Sequence, residues 1–338
     1  MCQQQHLYQQ YLYLQNQQLL LFLIDDDDEF IDYPVSWQVQ AQCTKIGLGR
    51  GKVLRQKRRT FDHFDLYNYW STEHQDKFLK LLHITFEEFN LILQELENLK
   101  PDETSLSMSF ANKLLLCLHY VIQYIGSNNL ATLFNTSEFY VSKVLDEILP
   151  ILVEYFVKFI PNKKIHNTRS RLHPRMKFII DGTLHKTQRQ HGVRDVHYNG
   201  HYRMHGRLTQ ILLDYEGYVV AFNTNIKGKI HDSLAAMYNK DFKRIVGNDI
   251  VLGDPGFSGV DYVISGFKPC TLSKWEEHIF DSISRREQVL IENANNYIKE
   301  AKSVNKLDTF RHGEHRLLAC VFIAIGLYNL KRTWGYFQ

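Results

Sequence analysis

Three apolar residues, Phe178-Ile179-Ile180, run directly into Asp181-Gly182, and this junction restricts the fold more than any other stretch. A short apolar run bounded by turn residues reads as a buried strand. It predicts a strand over 176–181 whose last residue presents a carboxylate at the sheet edge. Two later stretches answer it. Ile250-Val251-Leu252-Gly253 is a second strand-like run, and it leads into Asp254-Pro255-Gly256-Phe257. Glu292 lies in a helix-like segment over 285–302, 38 positions after Asp254.

Taken singly, Asp181 and Asp254 read as ordinary turn residues, because Asp and Gly are common in turns. Taken together, two strand-end acids and one helix acid form a set suited to divalent metal ions. Hard cations take oxygen ligands, usually a few carboxylates plus substrate phosphate. Two such ions about 4 Å apart activate a nucleophile and stabilise the leaving oxygen of a phosphodiester. The expectation is that Asp181, Asp254 and Glu292 converge in one cleft.

A chain of 338 residues with a formal net charge of only +3 names no partner by its overall charge. Its distribution is more informative. From Lys163 to Arg207 there are eleven Lys/Arg against two acids, Asp181 and Asp195. A local field of that sign attracts phosphate backbones, although a solvated basic surface reads the same way. Lys163, Lys164, Arg169, Arg171, Arg175, Lys186, Arg189 and Arg194, with Lys299 from the later helix, are the expected nucleic-acid-binding rim.

The five cysteines, Cys2, Cys43, Cys117, Cys270 and Cys320, have no zinc-knuckle spacing and are odd in number. They argue against a disulfide framework and for a reducing compartment. The sixteen histidines include no His-Glu-x-x-His spacing. Residues 1–60 read as a disordered segment, Gln-rich and then basic, with Asp25 to Glu29 acidic and a run from Arg50 to Arg59 without acids. No basic region precedes Leu19 to Ile24, so a secretory signal is not expected. The apolar stretch 317–328 is shorter than the roughly 20 residues a bilayer requires and reads as a buried helix.

Residues 61–160 read as helical. Thr85 stands three residues before Glu88, a capping-box pattern opening an amphipathic helix. A second helix is expected over 110–125, a short one over 128–134, a turn at Asn135-Thr136-Ser137, and another helix over 138–148. Short helix, tight turn and longer helix outline a helix-turn-helix, with Tyr140, Ser142 and Lys143 as candidate DNA readers. A purely structural helical pair is the competing reading.

Residues 161–338 alternate strands and helices. A hairpin turn is expected at Asp214-Tyr215-Glu216-Gly217 between strands near 205–213 and 218–226. A helix over 234–242 follows, with Asp232 or Ser233 as its N-cap. His231 and Asp232 are candidate accessory residues, second to that capping role. The order predicts an α/β fold, a mixed sheet with helices on both faces. On the later helix, Glu292 shares a polar stripe with Arg285, Gln288, Asn296 and Lys299, and Ala294, Tyr297 and Ile298 lie opposite.

Phe178-Ile179-Ile180-Asp181-Gly182-Thr183, Lys229-Ile230-His231-Asp232-Ser233, Val251-Leu252-Gly253-Asp254-Pro255-Gly256-Phe257 and the Arg286, Glu292, Lys299 spacing occur in the order seen in DDE-superfamily transposases. The end of the chain, His315-Arg316-Leu317-Leu318 through Tyr328-Asn329-Leu330-Lys331, is similar to that family too. The chain most resembles the PIF/Harbinger group and its transposase-derived nucleases. The resemblance implies an RNase H-like endonuclease domain over 161–338, preceded by an all-α, helix-turn-helix-like region. It implies catalytic and metal-holding roles for Asp181, Asp254 and Glu292, with Mg²⁺ or Mn²⁺ as cofactor and cleavage or transfer of DNA strands as activity. The implied partners are DNA, a separate DNA-binding accessory protein and further copies of the chain, with no membrane. The implied location is the nucleus in a eukaryote and the cytoplasm otherwise. The chain departs from the pattern at Leu184-His185, where the family often has His and then an aliphatic residue, and at Asn295-Asn296, where an aromatic residue and then Gly is common. A domesticated DNA- or partner-binding protein without turnover is the alternative, and a ribonuclease would use the same metal chemistry.

Overall fold

The computed structural model describes residues 63–99, 107–188, 197–265, 274–305, 310 and 313–335. The Gln-rich and basic N-terminal segment lies outside the described residues, as do Arg189 and Arg194.

Six helices come first: α1 (Leu66–Glu73), α2 (Asp76–Leu82), α3 (Phe86–Leu99), α4 (Phe110–Gln123), α5 (Ser127–Leu133) and α6 (Glu138–Val157). The capping box is present. The Thr85 amide donates to Glu88 Oε2 at 2.7 Å, and the Glu88 amide donates to Thr85 Oγ1 at 3.2 Å. Ser137 caps α6 by accepting from the Tyr140 amide. The sequence stops this helix near residue 148, but it continues through Pro150 to Val157. A proline inside a helix costs about 3 kcal/mol. Burial of Ile148, Leu149, Leu152, Tyr155 and Phe156 on both sides of it exceeds that cost, at roughly 1.5–3 kcal/mol per large apolar side chain.

Of the three candidate DNA readers, only Lys143 is exposed. The Tyr140 hydroxyl accepts from the Met108 amide, and Ser142 Oγ accepts from Arg316, which also pairs with Asp146.

The sheet follows: β1 (Met176–Lys186), β2 (Tyr198–Asn199), β3 (Met204–Asp214), β4 (Val219–Lys227), β5 (Ile250–Leu252) and β6 (Val263–Ile264). β1 pairs antiparallel with β3, and β3 antiparallel with β4. β5 joins the other side of β1 in parallel, and β6 joins β5 in parallel. With ten α-helices and six strands in one mixed sheet among the described residues, the fold is α/β and RNase H-like.

The β3–β4 hairpin turns where expected. Gly217 takes φ +80°, a conformation that favours glycine, and Asp214 Oδ1 accepts from the Tyr218 amide. One predicted helix is in fact two, α7 (Asp232–Tyr238) and α8 (Lys240–Val246). Asn239 divides them, ending α7 and capping α8 by accepting from the amides of Asp241 and Phe242. The N-cap of α7 is His231, so Asp232 does not cap.

Helices cover both faces, as alternation along β1 requires. Phe178 and Ile180 pack with Phe242, Val246 and Phe257 on the α7–α8 side. Ile179 faces the larger core, which also holds α9 (Lys274–Glu300), α10 (Glu314–Thr333) and the leading helices. α10 contains the expected buried apolar stretch, and among the described residues no helix is long and apolar enough to cross a membrane. Asn329 of α10 accepts from the Val219 amide and donates to the carbonyls of Val219 and Phe159, which ties β4 to the chain just after α6.

Candidate active site

Asp181 does not end its strand. β1 continues five residues beyond it, held on one side by β3 through to the Lys186–Gly206 pair. On the other side, the register with β5 stops at Ile179 opposite Leu252. Asp181 therefore sits two residues past the end of its parallel neighbour, paired on one flank only by these strands. β5 then leads through Gly253 to Asp254, at the start of a 3₁₀ turn, Pro255–Phe257. Two acids thus come to one end of the parallel pair.

Asp232 joins them. Gly182 lies beside Asp181 on β1, and the Asp232 carboxylate lies against it where a Cβ would stand. Gln210, opposite Gly182 on β3, donates from Nε2 to the Asp232 carbonyl at 2.7 Å and to its Oδ1 at 3.3 Å.

Asp254 and Asp232 raise the proton affinity of Asp181, and Asp254 raises that of Asp232. Burial pushes Asp181 up to about 6; the Gly182 amide opposes this, Asp254 and Asp232 add to it, and Lys299 offsets part of it. Burial also raises Asp232, against the Gln210 hydrogen bond, with Asp254 contributing repulsion. Partial burial raises Asp254, while the Gly256 amide, His201 and His231 draw it down. Desolvation and like-charge crowding act in the same direction on carboxylates.

His201 and Tyr202 join the acids without a signal in the sequence. They lie between β2 and β3, and burial together with Asp181, Asp232 and Asp254 raises the Tyr202 phenol. A His-Tyr pair in a short inter-strand loop carries no pattern that marks it; only the chain path brings it near the acids.

Glu292 is exposed on α9. It stands four residues after Gln288, whose Nε2 donates to the Gly253 carbonyl at 3.3 Å, and three before Asn295, whose Nδ2 donates to Asp181 Oδ2 at 2.6 Å. Positions 288, 292, 295 and 299 share one helical stripe. The sequence puts Asn296 on this stripe, but Asn296 is exposed and Asn295 is the buried member.

The basic residues divide. Lys299 lies within electrostatic range of Asp181, and Lys186 ends β1 beyond it. Lys163, Lys164, Arg169, Arg171 and Arg175 precede Met176, at the opposite end of β1. There Lys164 pairs with Asp249, the Arg171 amide donates to Glu287, and Arg175 donates to the Asn248 carbonyl. Five residues of strand between Met176 and Asp181 span about 17 Å.

Among the described residues no three His, Cys, Asp or Glu side chains group closely enough to hold a metal ion. The donor chemistry nevertheless fits a hard cation. The three Asp carboxylates are accompanied by two buried amide oxygens without hydrogen-bond partners, Asn295 Oδ1 and Gln210 Oε1. All are oxygen donors of the kind Mg²⁺ and Mn²⁺ take.

No curated protein and no solved structure matches the chain. Residues 180–329, which begin one position before Asp181 and contain Asp232, Asp254 and Glu292, match the family model described as DDE superfamily endonuclease.

Proposed function

We propose that this chain is a metal-dependent DNA endonuclease or transposase of the DDE type, within the PIF/Harbinger group. The observation that carries the reading is the seating of Asp232 against Gly182, next to Asp181, with Asp254 in electrostatic range of both at the open end of the β1–β5 pair, inside the stretch that matches the endonuclease family. Buried carboxylates whose charges repel are a mark of functional sites, and a bound cation would offset that repulsion. In this reading Asp181 and Asp254 hold the cation, and Glu292 reaches it from α9.

When bound, the cation supplies an activated nucleophile and a charge partner for the leaving oxygen. Asp181 and Asp254 orient it. Lys299 attracts the substrate phosphate and moderates the charge on Asp181. Gln210 and Gly182 seat Asp232 beside the same strand position. The test is nicking of supercoiled plasmid by wild type and Asp181→Asn, with Mg²⁺ or Mn²⁺ and with chelator. Metal-dependent nicking by wild type alone is expected. DNA binding without nicking would favour the binding protein without turnover.

A further inference from the structure

Asn295 stands three residues after Glu292, where the resemblance leads one to expect an aromatic residue. Its side chain is only 3% exposed and lies on the face of α9 with Ile291, Ala294 and Ile298. The neighbouring positions on this face are apolar. The amide instead donates to Asp181 Oδ2 at 2.6 Å and leaves its own Oδ1 buried without a partner. A buried polar atom left unsatisfied is destabilising, so packing alone does not account for an amide here.

The other Asp181 oxygen, Oδ1, accepts from the adjacent Gly182 amide at 2.8 Å. Each oxygen of the carboxylate therefore has one protein donor. Gly182 belongs to the same strand and travels with Asp181. Asn295 comes from a different element, so it alone of the two fixes the carboxylate relative to α9. A carboxylate offers about four acceptor sites; two are used, and two are left for a cation or its water.

We propose that Asn295 is the positioning residue for Asp181, holding its carboxylate in the orientation that receives a divalent cation. The inference rests on the proposed metal-dependent reading and deepens it. It also makes the departure at this position a feature of this chain's site. Residues that hydrogen-bond to ligating groups typically contribute 10–100-fold to metal affinity.

The experiment measures Mn²⁺ binding to the full chain by electron paramagnetic resonance, with thermal melting and plasmid nicking alongside. Asn295→Leu keeps the branched shape and removes the donor. Asn295→Ser keeps a hydroxyl too short to reach and serves if the leucine variant folds poorly. Both are expected to bind Mn²⁺ about tenfold or more weakly, with slower nicking and unchanged DNA affinity. Wild-type Mn²⁺ affinity in both variants overturns the inference alone, provided Asp181→Asn abolishes binding. Absence of Mn²⁺ binding by wild type overturns the proposed function and this inference with it.

Discussion

The carboxylate of Asp232 occupies the space where a side chain on Gly182 would begin, closer than any Cβ–oxygen contact permits. The glycine beside Asp181 is thus required for the approach of a helix residue, and its backbone angles play no part. The strand carries the first acid and makes room for another.

This contact predicts a coupled pair. Gly182→Ala forces Asp232 away and overpacks the site, a change costing about 1–3 kcal/mol. In an Asp232→Ala background the same substitution should cost much less, because the obstructing atoms are gone. Urea denaturation of the four proteins measures the coupling. Equal cost in both backgrounds would show that the two residues do not share this space.

Asp181 predicts a pH signature. Its folded-state pKa is pushed up to about 6, from a usual value near 3.8. A raised carboxylate favours folding below the unfolded pKa, and that contribution is lost as pH rises through the folded one. At pH 7.5 without metal, the ionised group costs up to about 3 kcal/mol. Asp181→Asn should therefore stabilise the apo protein at pH 7.5, and the gain should vanish near pH 4. Asn295 can accommodate the new amide by turning its unpartnered oxygen toward it. Identical stability curves across this range would contradict the burial argument.

His185 predicts the opposite slope. It is buried, with Nδ1 2.7 Å from the Val304 carbonyl and Nε2 2.9 Å from Thr209 Oγ1. A carbonyl only accepts, so Nδ1 carries the proton and Nε2 accepts from Thr209, which in turn accepts from Thr224 at 2.7 Å. Burial pushes the imidazole down to about 4. Its contribution is full above about pH 6.5 and is lost as pH falls toward 4, when the unfolded chain takes up the proton first. The pH dependence of stability between 6.5 and 4.5 should be shallower in His185→Gln than in wild type. Thr209→Val, which orphans Nε2, should cost about 1–3 kcal/mol at neutral pH in urea denaturation.

Much of this was legible along the chain, for identifiable reasons. Apolar runs at 178–180 and 250–252 are local signals, and so are the Thr85–Glu88 capping box and the Gly217 turn. The extension of β1 past Asp181 was hidden because Thr183 and His185 read as polar, yet both are buried against β3. The division at Asn239 was hidden because a residue ending one helix and capping the next looks like the middle of a single helix. The distribution of the basic residues depends on the parallel register of β1 and β5, which no local pattern encodes. Asn295 carries no signal of a role in the sequence, because a buried amide is explained only by the residue it meets.

That distribution predicts unequal roles for the cations. Lys299→Ala should weaken DNA binding and lower the slope of log affinity against log salt by about 1, one phosphate contact fewer. Nicking should slow with it. Arg169→Ala with Arg171→Ala, at the far end of β1, should leave nicking unchanged. The reverse order of effects would place the DNA path across the other end of the sheet.

Glu292 gives the sharpest test of the third acid. Its exposure on α9 means that Glu292→Gln should change stability by no more than about 0.5 kcal/mol, as for ordinary surface positions. It stands on one helical stripe with Gln288 and Asn295, whose amides meet Gly253 and Asp181. Loss of its charge should lower metal-dependent nicking on the order of a hundredfold, the scale of removing one preorganised electrostatic group. Asn293→Ala, one residue along and about 100° around the helix, is the matched control and should nick like wild type. If Glu292→Gln also nicks like wild type while Asp232→Asn does not, the third acid is Asp232. The helix acid would then be a surface charge, and the acid seated against Gly182 would complete the set with Asp181 and Asp254.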